Sequence, residues 1–237
     1  MSVVLLRVGI DSGSGGIQGP LFSDGSFELV PIPDSSGVGL HTYGHTMGTK
    51  GRYLSEYFPG SARARAQAQS MHVDPEFDTF TYGDPTLPKA GLKNLKPQDM
   101  LVFYAGLKGW EHARPPALYI VGYFIVKWAG LAREHPDELV REKCGANFHV
   151  RYDSLYQKQR DRLVLVKGDP GSRLLSRAHC ISAEGRNRAG QPLKVLFPEA
   201  QVIFGDFDGR ISIQRSPPRW VAPSHEDKAR RFVEALP

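Results

Sequence analysis

Residues 7–20, RVGIDSGSGGIQGP, set an acid and two hydroxyls among glycines directly behind a short apolar run. Asp11 could carry a proton to or from a reacting group. Ser12 follows Asp11 directly, just as the apolar run ends. Arg7 could hold a carbonyl or a phosphate. Gly13, Gly15, Gly16 and Gly19 free the backbone to offer N–H groups to an anion. The spacing is neither that of a phosphate-binding loop, which needs a lysine, nor the dinucleotide fingerprint G-x-G-x-x-G, and no helical pattern follows. On composition alone the stretch serves equally well as a tight connection between strands. A second irregular stretch, MHVDPEF at 71–77, brings an imidazole and a carboxylate together in His72 and Asp74, though Asp74-Pro75 also reads as the start of a turn.

The remaining histidines and the cysteines point to less. HTYGH at 41–45 lies in a glycine-rich loop, and neither H-E-x-x-H nor C-x-x-C occurs, so no metal site and no cofactor are expected. Cys144 ends a predicted helix, where the dipole disfavours a thiolate. Cys180 follows His179 on a predicted strand, so the two point to opposite faces. Each reads first as a small buried hydrophobe, with a nucleophilic role left open.

Elements that position these residues follow from patterning. VVLLRVGI, 3–10, reads as a buried strand, and Asp24-Gly25 as a hairpin turn. Residues 35–51 form a long loop. Two β-branched and aromatic runs, at 100–105 and 117–128, predict paired strands. PDELVREKC, 136–144, has acids in its first turn, bases in its last and Gly145 beyond, a helix with both ends marked. A strand followed by a turn is predicted in 161–175. QVIFGDFDGRISIQR, 201–215, predicts strand, turn and strand, and 224–235 a last helix. Nothing divides the chain, so its 237 residues read as a single α+β domain, 1–237, with a mainly antiparallel, partly barrel-like sheet and a few helices. The net charge of +5 permits nucleic-acid binding without demanding it. No run approaches the ~20 apolar residues of a membrane span. The start has no signal-peptide pattern, and two cysteines make no disulfide framework, so a cytoplasmic protein is expected.

Two resemblances extend this reading. QDMLVFYAG followed by LYIVGYFIV, at the strand pair of 99–128, resembles the signature of PUA-like barrels, a superfamily that includes holders of flipped or modified bases. It implies aromatic walls from Phe103, Tyr104, Tyr119 or Tyr123. The opening stretch resembles the third named group of nucleotide modification associated domains. The matching features are Arg7, Gly9, Asp11, Ser12, Gly15, Gly16, Pro20, Asp24, Gly25, Pro31, Pro33 and Asp34. The family's later histidine–acid–proline element looks like His72, Asp74 and Pro75, and its His-Pro like His135 and Pro136. The chain departs from the family at Gln18-Gly19, where a serine more often precedes the proline.

That resemblance implies a base in DNA as the object, and other proteins of a DNA-modification system as partners. It leaves two classes of function. One is an enzyme with Asp11, Ser12, His72 and Asp74 around the base and Arg7, Gly15, Gly16, Phe103 and Tyr104 binding it. Its step would be hydrolytic or amide-forming, such as hydration of the nitrile of 7-cyano-7-deazaguanine. The other is a reader that binds a modified base by stacking and leaves it unchanged. The carboxylates favour the enzyme, since a reader of DNA gains nothing from acids beside phosphates. In either case the glycine loop and MHVDPEF should meet at one pocket.

Overall fold

A computed structural model of the chain describes residues 1–11, 13, 15–214 and 217–237. Its strands are β1 (Val3–Arg7), β2 (Gly19–Leu21), β3 (Ile32–Pro33), β4 (Met71–His72), β5 (Thr81–Asp84), β6 (Met100–Gly109), β7 (Ala117–Leu131), β8 (Val164–Gly168), β9 (Arg173–Cys180), β10 (Ser182–Arg186), β11 (Pro192–Leu196) and β12 (Arg219–Trp220). The helices are α1 (Gly60–Ala68), α2 (Asp137–Cys144), α3 (Phe148–Arg151), α4 (Asp153–Gln159), α5 (Pro198–Phe204) and α6 (Pro223–Glu234), with short 3-10 turns between them. The fold is α+β with mostly antiparallel pairing, as expected. The main sheet runs β12-β1-β6-β7-β8-β5, with β2 added to β6 and β9 to β7. It is open: β12 and β5 lie at opposite ends of that order, so the barrel-like element of the expectation stops short of closure.

Both faces of this sheet are covered, which explains why β1 is apolar without alternation. Val3 and Leu5 face a core closed by α5 and α6, through Ala200, Phe204, Ala229 and Val233. Val4 and Leu6 face a second core with Phe103, Phe124, Tyr82 and Leu92. A smaller core under the N-terminal loops gathers Ile10, Tyr43, Tyr57 and Phe58. Another, under α2 to α4, gathers Val140, Cys144, Val150 and Tyr156.

Three predicted elements differ, one of them the strand expected after the Asp208-Gly209 turn, which among the described residues is only an isolated bridge from Ser212 to Val195. The strand expected to begin at Gln201 belongs to α5. Pro198 opens that helix, Glu199 sits in its first turn and Gly205, at φ 81°, stops it. Ala200 and Phe204, four apart on one helix face, are the buried residues, so packing overrides the strand propensity of Val202-Ile203. The strand predicted over 3–10 ends at Arg7, because the chain leaves the sheet there.

That departure builds the site. β1 runs parallel to β6 from Val3 opposite Met100 to Arg7 opposite Tyr104. β2 resumes the same parallel pairing with Gly19 opposite Leu107. Residues 8–18 are therefore extruded from one line of strand, across a gap that on β6 is only Ala105 and Gly106. At the same level the β6–β7 ladder slips, pairing Phe103 with Gly122 and Tyr104 with Ile120, so Val121 is the extra residue of a bulge.

Candidate functional site

The extruded loop turns inward on Asp11. The Gly13 N–H donates to Asp11 Oδ1 at 2.7 Å. The N–H groups of Gly15 and Gly16 donate to the Asp11 carbonyl at 2.9 and 3.1 Å. These donors are thus spent within the loop and are not offered to an anion in this arrangement. Gly16 needs its glycine for φ 76°. Arg7, at the end of β1, pairs with Asp11: Nη2 to Oδ2 is 3.1 Å, and its side chain is mostly buried. Ser12 lies outside the described residues.

Arg7, Asp11 and Gly13 line a cleft of about 530 Å³ together with Asp74, Asp84 and Lys89. The glycine loop and MHVDPEF therefore meet in space, through Asp11 and Asp74. Local chemistry fixes the other walls. Asp84, at the end of β5, accepts from Tyr82 Oη at 3.1 Å and from the Thr86 N–H at 2.7 Å. Lys89, in the 3-10 turn Leu87–Asn94, is 5% exposed. Burial pushes its ammonium below the ordinary lysine value, while Asp84 and Asp74 pull it back up.

Behind the cleft stands a buried polar group. β3 and β4 pair Ile32 with His72, which sets the His72 ring against Phe148, stacked at 4.4 Å and 15°. Asp74 follows β4 at a cis Asp74-Pro75 bond and accepts from the Gly83 N–H at 3.1 Å. α3 begins at Asn147, whose side chain accepts from the His149 N–H at 3.1 Å, and so places His149 over the edge of the His72 ring. The other face of His149 is fixed by α4: its Nδ1–H donates to Gln159 Oε1 at 2.8 Å, which leaves Nε2 to carry the lone pair. That Nε2 lies 4.0 Å from Asp74 Oδ2, and the two side chains are 6% and 5% exposed. Burial holds the Asp74 carboxyl well above the usual range, against the Gly83 N–H. It pushes His72 down to about 4, with His149 adding to the effect, and lowers His149 too. His72, Asp74 and His149 each offer one ligand atom within 4.8 Å of the others, and are the one such group of three among the described residues.

Other expectations resolve differently. Phe103 and Tyr104 are both 0% exposed. Phe103 sits edge-on to Phe77 and Phe124, and Tyr104 Oη donates to the Ile213 carbonyl at 2.8 Å. Both are core residues, because β6 is covered on its two faces, and neither offers a ring face to a base. Tyr119 and Tyr123 are buried likewise. Cys144 is fully buried, and burial pushes its thiol up to about 12. Cys180 donates to the Ser182 carbonyl at 3.5 Å and does not line the cleft. An aromatic wall exists elsewhere. A cavity of about 570 Å³ on the far side of the loop is lined by Gly16, Gln18, Tyr57, Phe58 and Trp110. Tyr57 Oη and Trp110 Nε1 are buried there without hydrogen-bond partners. A third cavity, lined by Arg7, Asp11 and Gln18, shares residues with both. Sequence reasoning missed Asp84, Lys89, His149 and Gln159. The N-cap Asn147 was the one local signal near any of them.

The family model for nucleotide modification associated domain 3 matches residues 2–235, nearly the whole chain. Among curated proteins and among solved structures, nothing matches. Among the described residues no helix is long and apolar enough to cross a membrane.

Proposed function

The chain belongs to the nucleotide modification associated domain 3 family, so its functional setting is nucleotide modification, and from that premise we propose that it is an enzyme altering a base in DNA at the cleft of Arg7, Asp11, Asp74, Asp84 and Lys89. The observation that carries this reading is the convergence of three carboxylates and two cations from separate parts of the chain on one cavity. The cavity is of ligand size, within the range of about 300–1,000 Å³ usual for small-molecule sites. A non-catalytic DNA clamp would not place Asp11 and Asp84 together, since each weakens the hold on phosphates.

In this reading Asp11 is the general base, kept in position by Arg7 and by the Gly13 N–H. Lys89 stabilises charge that develops on the base, and its burial strengthens that effect. Ser12, next to Asp11 in the sequence, is one of the residues around the base. His72 stands beside Asp74 behind the cleft, its ligand atom within 4.8 Å of the Asp74 carboxyl. The step is hydrolytic or amide-forming. Hydration of the nitrile of 7-cyano-7-deazaguanine in DNA is one that fits: the water oxygen bonds to the nitrile carbon, and the nitrogen takes up the protons to give the amide. Water is the nucleophile in such a step, because neither Cys144 nor Cys180 reaches the cleft. The partners are DNA and the other proteins of the same modification system.

A second reading, a reader of modified bases, is favoured by the cavity of Tyr57 and Trp110, whose unpartnered Oη and Nε1 could bond to base edges. Mass spectrometry of nucleosides from cellular DNA separates the two. The enzyme reading expects a modified nucleoside that disappears on deletion of the gene and on Asp11→Asn. Full modification in cells carrying Asp11→Asn refutes it. Loss of DNA binding in Trp110→Ala with the modification intact supports the reader.

A further inference from the structure

Two imidazoles and a carboxylate meet behind the cleft: His72 in β4, Asp74 two residues on, and His149, which α3 brings in from far along the chain. A buried group of this kind can be stabilised as an ion pair, as a closed hydrogen-bond network or around a cation. The network is incomplete. His149 Nε2 and Asp74 Oδ2, at 4.0 Å, are too far apart for a hydrogen bond. His72 Nδ1 is buried with no hydrogen-bond partner. What is complete is the outer set of contacts. Gln159 holds the far nitrogen of His149 and turns the Nε2 lone pair inward. The Gly83 N–H holds Asp74 Oδ1 and leaves Oδ2 on the histidine side. Metal-binding histidines and carboxylates are oriented in this way, each by a partner on the atom that does not ligate.

We propose that His72, Asp74 and His149 bind one divalent first-row transition metal ion. Two imidazole nitrogens and one carboxylate oxygen suit such an ion, and three protein ligands leave a coordination position for water or substrate. Ligand bonds of about 2.0–2.2 Å require the three atoms to draw together by roughly an ångström from their present spacing. The expectation of no metal rested on spacing along the chain, which a site assembled from β4, the segment after it and α3 does not display. Asp74 also lines the cleft, so the ion would stand at the edge of the proposed reaction centre. The inference rests on that reading for the ion's use and on geometry alone for its presence.

Titration of the metal-free full chain with Co²⁺, followed by visible absorption and calorimetry, tests it. One Co²⁺ per chain is expected, displaced by Zn²⁺, with a melting temperature that rises in the wild type and not in Asp74→Asn. His72→Ala should weaken binding at least tenfold. Gln159→Ala, which removes no ligand, should weaken it by about 10- to 100-fold while the circular dichroism stays that of the wild type. No binding by the wild type, or equal binding by the wild type and a folded His72→Ala, overturns the proposal. Metal bound by a protein whose absence leaves DNA unchanged would instead overturn the proposed function alone.

Discussion

Asp74 is shared between two neighbourhoods, and the glycine beside it shows how tightly both are built. A Cβ on Gly83 would stand 2.6 Å from Asn147 Oδ1 and 3.0 Å from His149 Cδ2. The first is the cap of α3 and the second the ring that faces Asp74, and both are buried, so neither can move without cost. Gly83→Ala should destabilise the protein by about 1–3 kcal/mol in urea denaturation, the usual cost of overpacking. It should also lower modification more than its stability loss explains. Unchanged stability would mean that α3 yields freely and that His149 is not held where it stands. The cysteines allow a sharper test at this scale. With its thiol buried and pushed up to about 12, Cys144 has almost no thiolate at neutral pH. Iodoacetamide should label Cys180 of the native protein and reach Cys144 only after unfolding, as peptide mass mapping would show. Native labelling of Cys144 would return a cysteine nucleophile to consideration.

The element that makes the site is the excursion of residues 8–18 from a strand line that β2 resumes. It accounts for the glycines, since a chain that leaves and rejoins one edge of β6 within a gap of two residues must reverse tightly, with Gly9 and Gly16 at positive φ. Much of this was legible in the sequence. The glycine loop, β6, β7, α2 and α6 carry strong local patterns, and the meeting of Asp11 with Asp74 was expected. His149, Lys89, Asp84 and Gln159 were not legible, because each enters through long-range packing. β5 is only Thr81–Asp84 and sits in a proline-rich stretch without period, and its pairing with β8 cannot be read locally. Phe103 and Tyr104 were misplaced because an aromatic strand covered on both faces looks, in sequence, like one with a free face. α5 shows the same limit, and a substitution checks its corrected form. Phe204 is fully buried and meets Phe232 edge-on at 5.9 Å. Phe204→Ala should cost about 3–5 kcal/mol. Because α5 closes the core opposite the cleft residues of β5, the folded variant should still bind Co²⁺. A cost below 1 kcal/mol would mean that α5 is not part of the core.

At the scale of the whole molecule the proposed function asks how DNA would reach a cleft lined by acidic side chains. The net charge is +5, and the cations are spread over the chain rather than gathered in one tract. Many are already paired: Arg7 with Asp11, Arg160 with Asp137, Arg230 with Glu234. The two cations that line the cleft, Arg7 and Lys89, already face Asp11 and Asp84. Each phosphate neutralised contributes about −0.9 to the slope of log K against log salt on duplex DNA. Binding should therefore be weak, with a slope of only a few units, far from that of proteins that hold DNA by its backbone. Fluorescence anisotropy with duplex and single-stranded oligonucleotides across a salt series measures it. A steep slope would demand a basic surface outside the cleft. A slope near zero would remove DNA as the substrate and point to a free nucleotide or nucleoside, which the cleft is large enough to admit and whose modification would precede incorporation.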